Sequence, residues 1–178
     1  NIFDDQEKSL LPLAPHAGVR FMSILQLMSF ERLTRKVLDR AQDAATLTGD
    51  QRDGIQKGLL DRMASIGTLE GSEEGGVDEI PTPEVMVEKV HRIRGGSLFA
   101  LAFAAPSVLE TGDMAEKMAK AEVAVAQLGT AFQIVDDLTD FEFDVGRRTH
   151  NLLTSQIHHH GSAEEKAALD RFWNGEAV

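Results

Sequence analysis

The stretch Ala131–Asp144, AFQIVDDLTDFEFD, places five carboxylates, Asp136, Asp137, Asp140, Glu142 and Asp144, within nine residues that otherwise read as a buried helix. Like charges at i,i+4 positions destabilise a helix by roughly a few tenths of a kcal/mol per pair, so the run is costly unless a cation sits there. At 3.6 residues per turn Asp136, Asp140 and Asp144 stay within roughly 80° of one face, with Asp137 and Gln133 close to that arc. Ala131, Ile134, Leu138, Phe141 and Val145 fall on the opposite side as the expected core stripe, and Glu142 points away from the aspartates. A charge run is often no more than a solvated face. Here Phe132-Gln133-Ile134-Val135 runs straight into the acids and Gly129 lies one turn upstream, the context of a helix buried on several sides. Buried carboxylates at this density call for a metal or basic groups. Oxygen ligands suit hard divalent cations, Mg²⁺ above all, with Mn²⁺ as a substitute.

Around this stretch the chain reads as helix nearly throughout. Phe21, Ile24, Leu25, Met28, Leu33, Val37 and Leu38 recur at three- and four-residue spacing between residues 17 and 47, and Gly49-Asp50 ends that pattern. A second helix is expected over about 50–70, followed by the loop GSEEGGVDEIP. Thr82 with Pro83 marks a third start, N-cap followed by the first helical position. Asp113 with Glu116 reads as a capping box opening a long helix through at least Phe143, and Ser162 with Glu165 as another. No strand pattern competes and no internal repeat is present, so the expectation is an all-α bundle. His158-His159-His160 precede the Gly161-Ser162 start and read as loop, because three consecutive helical residues point in different directions and make poor joint ligands. His91 and His150 are near enough to the motifs to approach a phosphate but read as ordinary surface or core residues. Phe172 and Trp173 read as anchors of the last helix.

The 178 residues, 42% of them apolar, suffice for one domain with a true core. The net charge of -11 argues against a nucleic-acid partner, since phosphate backbones are bound by clustered Lys and Arg. No apolar run approaches the roughly 18–20 residues of a membrane span. The absence of cysteine removes disulfides and thiolate chemistry, and the cytoplasm is the expected location. The start at Asn1 without Met and the end at FWNGEAV without a recognisable closing element read as a single domain, 1–178, lacking N-terminal helices and some loops.

Gly129-TAFQIVDDLTDF resembles the second aspartate-rich motif of the all-trans polyprenyl (isoprenoid) diphosphate synthases, an FQ pair followed by DDxxD. The resemblance implies that Asp136, Asp137 and Asp140 bind Mg²⁺ holding a diphosphate, with Gln133 and Phe132 lining the same site. A second match is Arg94-GGSLFALAFAA. The family carries a Lys-Thr pair there, so Arg94 stands at the phosphate-binding Lys and Gly95 at the Thr, losing a hydroxyl; Arg and Lys are not equivalent on phosphate. Phe99, with Phe103, Met22 and Met28, would wall an apolar cavity, although such stripes are more often plain core. Asp4 and Asp5, in DDQEK, stand where a first DDxxD would be sought, with Glu7 displaced and Lys8 in place of the final Asp. Arg147 and Arg148 follow Asp144 where the family has a Lys-Gly-Lys type segment.

The implied fold is a bundle of long, mostly antiparallel helices of the isoprenoid synthase type around a central cavity, as a homodimer. The implied activity is condensation of an allylic diphosphate with isopentenyl diphosphate. The i, i+4, i+8 aspartates followed by an Arg pair also resemble squalene and phytoene synthases and, more faintly, terpene cyclases. A non-catalytic partner subunit is the third reading, which the weakened first motif and the Arg94-Gly95 pair permit.

Overall fold

The computed structural model describes residues 19–174, with side chains from residue 24 onward. Asp4 and Asp5 therefore lie outside the described residues. The described chain is all-α, without a strand: α1 (Val19–Asp43), α2 (Gly49–Ser72), α3 (Pro83–Val85), a wide π-helical run (Met86–Gly96), α4 (Ser97–Ala100), a 3-10 turn (Leu101–Phe103), α5 (Pro106–Leu109), α6 (Gly112–Thr139), α7 (Phe141–Arg147), α8 (Leu152–His160) and α9 (Ala163–Trp173). No described helix is long and apolar enough to cross a membrane.

The chain divides into two compact units with the boundary after Gln56, inside α2. In the first, Leu38 and Ile55 are buried, while Ile24, Leu25, Met28, Leu33 and Val37 are 45–63% exposed. The side chains of Phe21 and Met22 lie outside the described ones, and from Ile24 onward most apolar residues of α1 are exposed. Arg52 joins the two helices of this unit by donating to Asp39 from both Nε, at 3.0 Å, and Nη2, at 2.6 Å.

In the second unit α6 packs chiefly on the π-helical run and α4, and also touches α5, α7 and α8. Thr82 caps the start of α3, its hydroxyl accepting from Val85 N, and Pro83 occupies the first turn. From Met86 the carbonyls bond five residues on, as in Ser97 N–H to Arg92 O. Such widened turns are uncommon and cluster at functional sites. They bring Gly95 and Gly96 inward, where both are buried. A Cβ on Gly95 would lie 2.8 Å from the carbonyl carbon of Gly129 on α6, so the helices cross backbone to backbone. Close packing therefore accounts for glycine at position 95, which the resemblance reads as a lost Thr hydroxyl.

Three sequence expectations are corrected. His158–His160 form the last turn of α8, not a loop. Asn151 starts that helix by accepting from Leu153 N and Thr154 N, and it continues until Gly161 turns extended. Helix α6 begins after Thr111, which makes no side-chain cap bond, rather than at a capping box on Asp113; Gly112, at φ 57°, forms its first turn. It is also interrupted at Asp140 (φ -102°, ψ 7°), where α7 takes over. The capping box of Ser162 and Glu165 is present in full at the start of α9.

The larger correction concerns which side of α6 is inside. The buried positions are Gly129, Gln133 and Asp137, spaced by four, whereas Leu138, expected in the core, is 60% exposed. Val123, Leu128, Phe132 and Val135 share that exposure, at 58–60%. Tertiary polar partners hold Asp137 inward. Buried polar groups persist where they find such partners.

Candidate functional site

The inward side of α6 brings Asp137 against the π-helical run and the start of α8. Its carboxylate is 2% exposed, and Oδ2 accepts from His91 Nε2 at 2.8 Å and from Leu152 N at 2.6 Å. His91, on the π-helical run, is fully buried. Leu152 N–H is one of the unpaired donors at the first turn of α8, so Asp137 completes that terminus and meets the positive end of its dipole. Asn151 adds a second link by donating from Nδ2 to Asp137 O at 2.7 Å and to Asp144 Oδ2 at 2.8 Å.

The aspartates thus have separate surroundings. Asp136 is partly exposed and accepts from Gln133 Nε2 at 3.0 Å. Asp140 is exposed at the α6–α7 joint, with the Thr139 hydroxyl at 3.4 Å. Asp144 accepts from the Thr149 hydroxyl at 3.2 Å as well as from Asn151. Burial pushes the Asp144 carboxyl up to about 6, against those two hydrogen bonds, and the charges of Asp137 and Asp140 add to the rise. Glu142 is exposed, as expected. The donor set of Asp136, Asp140 and Asp144 is all oxygen and suits a hard cation that retains waters and shares a phosphate. Among the described residues no group of three or more acidic or histidine side chains already stands in a metal-holding arrangement.

Arg94, on the same π-helical run as His91, is close enough to Asp137 for their charges to interact. Its Nε donates to Glu70 at 2.5 Å and its Nη2 to Glu73 at 2.6 Å. Burial opposes its charge, but Glu73, Glu70 and, more weakly, Asp137 outweigh it and hold the guanidinium above its ordinary value. Glu73 is 5% exposed and also receives His150 through Nδ1 at 2.5 Å and the backbone N–H at 3.1 Å. Burial pushes the Glu73 carboxyl up, and His150 with Arg94 more than offsets it, so it lies below its usual range. Val77 N donates to Arg148 O at 2.8 Å, which fastens the same loop to the end of α7.

The remaining predicted residues fall into two places. Phe99 and Phe132 meet with ring centroids 5.9 Å apart, beside the Gly95–Gly129 crossing. Arg147 lies over the Phe143 ring at 5.1 Å and Arg148 over Trp173 at 5.4 Å, both arginines exposed. An apolar cavity of ≈ 200 Å³ between α7, α8 and α9, lined by Phe141, Val145, Ile157, Leu169 and Phe172 among others, contains none of the predicted site residues.

Sequence reasoning missed Asn151 and Glu73. Asn151 directly before Leu152-Leu153 is an N-cap signal that was available. Glu73 sits in an acidic loop and carries no local mark of its buried partners. Comparison of the chain with protein-family models, with curated proteins and with solved structures finds no match to any of them.

Proposed function

We propose that the chain is a prenyltransferase that condenses an allylic prenyl diphosphate with isopentenyl diphosphate and releases diphosphate in a Mg²⁺-dependent step. The bundle would be of the isoprenoid synthase type, with a central cavity for the prenyl chain. The reading is supported by one observation above others: in FQIVDDLTD the central Asp137 is buried, while Asp136 is partly exposed and Asp140 exposed. The two stand on successive turns, and a cation shared between them would compete with the partners Asp136 already has.

Asp136 and Asp140 would hold the Mg²⁺, with Asp144 next to them. When bound, the ion supplies Lewis-acid stabilisation of the charge that develops on the departing diphosphate. Gln133 orients Asp136 through its amide hydrogen bond. Arg94 is the cation that would meet the diphosphate, which would compete there with Glu70 and Glu73. Phe99 and Phe132 would form part of an apolar wall against water only once the exposed Phe132 ring is covered by the prenyl chain. No nucleophile from the protein is needed.

Two observations favour a second reading, a non-catalytic subunit that binds a partner. The Arg94 guanidinium already serves two carboxylates, and the outer side of α6 exposes Val123, Leu128, Phe132, Val135 and Leu138 together. Incorporation of isotopically labelled isopentenyl diphosphate into a longer prenyl diphosphate tests the condensation. A product of another carbon skeleton, formed from the allylic substrate alone, would point to head-to-head coupling or cyclisation, and the absence of any product to the partner subunit.

A further inference from the structure

We propose that the apolar cavity between α7, α8 and α9 binds a small hydrophobic amine, a body the size of one six-membered ring that carries a protonated amino group at its end. None of the residues used in the diphosphate reading lines this cavity, so the two sites stand apart. Its most buried lining residues are Val145 and Leu169, 2% and 4% exposed, with Phe141 and Ile157 half-buried around them. The volume is ≈ 200 Å³. Protein interiors leave few voids larger than a water molecule, so a space of this size is not ordinary packing slack. A dry cavity of about 150 Å³ lined by Leu, Ile and Phe takes up benzene, which gives this one room for a ring and a short tail.

The charge of the ligand follows from the two polar residues of the lining. These are Glu142 on α7 and Glu165 on α9, and no basic side chain lines the cavity among the described residues. Both glutamates are exposed, as is Phe172, which marks the side open to solvent. Glu165 accepts from Ser162 N at 2.7 Å, and that bond holds its carboxyl below the ordinary value, so it stays an anion. Glu142 makes no hydrogen bond or ion pair with another described residue and is free to meet a cation. A few polar groups at an apolar pocket fix the orientation of what binds there. Here they would keep an ammonium group at the solvent end while the ring enters between Phe141 and Leu169. An anion of the same shape would be repelled by both carboxylates, and the net charge of -11 acts in the same direction.

The test is an NMR titration of backbone amides in the full chain with 2-phenylethylamine, 2-phenylethanol and phenylacetate at neutral pH and low salt. It is repeated on Glu142→Gln and Ala168→Phe, each with a thermal melt. The expected shifts are confined to α7, α8 and α9. The amine should bind roughly tenfold more tightly than phenylacetate, since one exposed ion pair is worth up to about fivefold in affinity and two carboxylates act here. Glu142→Gln should weaken the amine about threefold and leave 2-phenylethanol unchanged. Ala168 lines the cavity from α9, and a phenyl ring in its place should abolish binding of all three probes in a chain that still melts cooperatively. Equal affinity for the amine and phenylacetate, or wild-type affinity in folded Ala168→Phe, would overturn the proposal. If Ala168→Phe does not fold, Glu142→Gln decides, and an unchanged amine affinity there overturns it. Absence of binding by any probe, with concentration-dependent broadening of the α7 and α9 amides, would mean that a second copy of the chain covers the cavity instead; absence of binding without such broadening equally overturns the proposal.

Discussion

Gly95 and Gly129 face each other across the crossing of the π-helical run and α6, each so close that a Cβ on either would lie 2.8 Å from the carbonyl carbon of the other. Gly95→Ala or Gly129→Ala must therefore push the two helices apart. Overpacking of this kind costs about 1–3 kcal/mol, and urea unfolding should show a loss of at least that size. Gly67→Ala is the control: it lies within α2 with nothing inside 4 Å of its Cβ position. That change should stabilise the chain by about 0.5–1 kcal/mol.

Asn151 caps α8 through Leu153 N and Thr154 N while its amide donates to Asp137 O and Asp144 Oδ2. Asn151→Ala removes a cap, worth about 1 kcal/mol, and also leaves the buried Asp137 carbonyl short of a donor. A loss of roughly 2–4 kcal/mol is expected once the buried acceptor is counted, again by urea unfolding. Asn151→Asp should be as damaging, since a carboxylate keeps the cap acceptor but faces Asp144.

Stability should respond to pH through Asp144 in a defined direction. Its folded-state carboxyl is raised to about 6 from the ordinary 3.8, so the stability linked to its protonation is complete below about 3.8 and lost as pH rises through about 6. Asp144→Asn is therefore expected to raise the melting temperature at about pH 8 and to have little effect at about pH 4. An equal gain at both pH values would contradict the account of Asp144.

Glu73 has the opposite sign. Its carboxyl lies below the ordinary 4.5 because His150 and Arg94 outweigh its burial. The stability it contributes is present above 4.5 and lost as pH falls through its depressed folded value. Glu73→Gln should destabilise the chain clearly at neutral pH and much less in acid, as followed by thermal melts across pH.

The all-helical class and several helix ends were legible in the sequence because their signals are local. Thr82-Pro83 and the Ser162–Glu165 box act within one turn, and both appear where the residues put them. The inward side of α6 was not legible. Periodicity assigns apolar residues to the interior, but Leu138 and Val135 face out and Gln133 and Asp137 face in. What decides this lies far off in the chain: His91 is 46 residues from Asp137 and Leu152 is 15. The aspartate run could be picked out from spacing alone, whereas the division of labour within it could not. The same holds for Arg94, whose partners Glu70 and Glu73 lie 24 and 21 residues upstream in a segment with no distinguishing pattern.

The most direct measurement is diphosphate release from geranyl and farnesyl diphosphate, each with isopentenyl diphosphate, in Mg²⁺ and in EDTA, comparing wild type with Asp136→Ala. The account predicts release that requires both Mg²⁺ and Asp136. Release that persists in EDTA or in Asp136→Ala, or none from any allylic substrate by the folded wild-type protein, would contradict it.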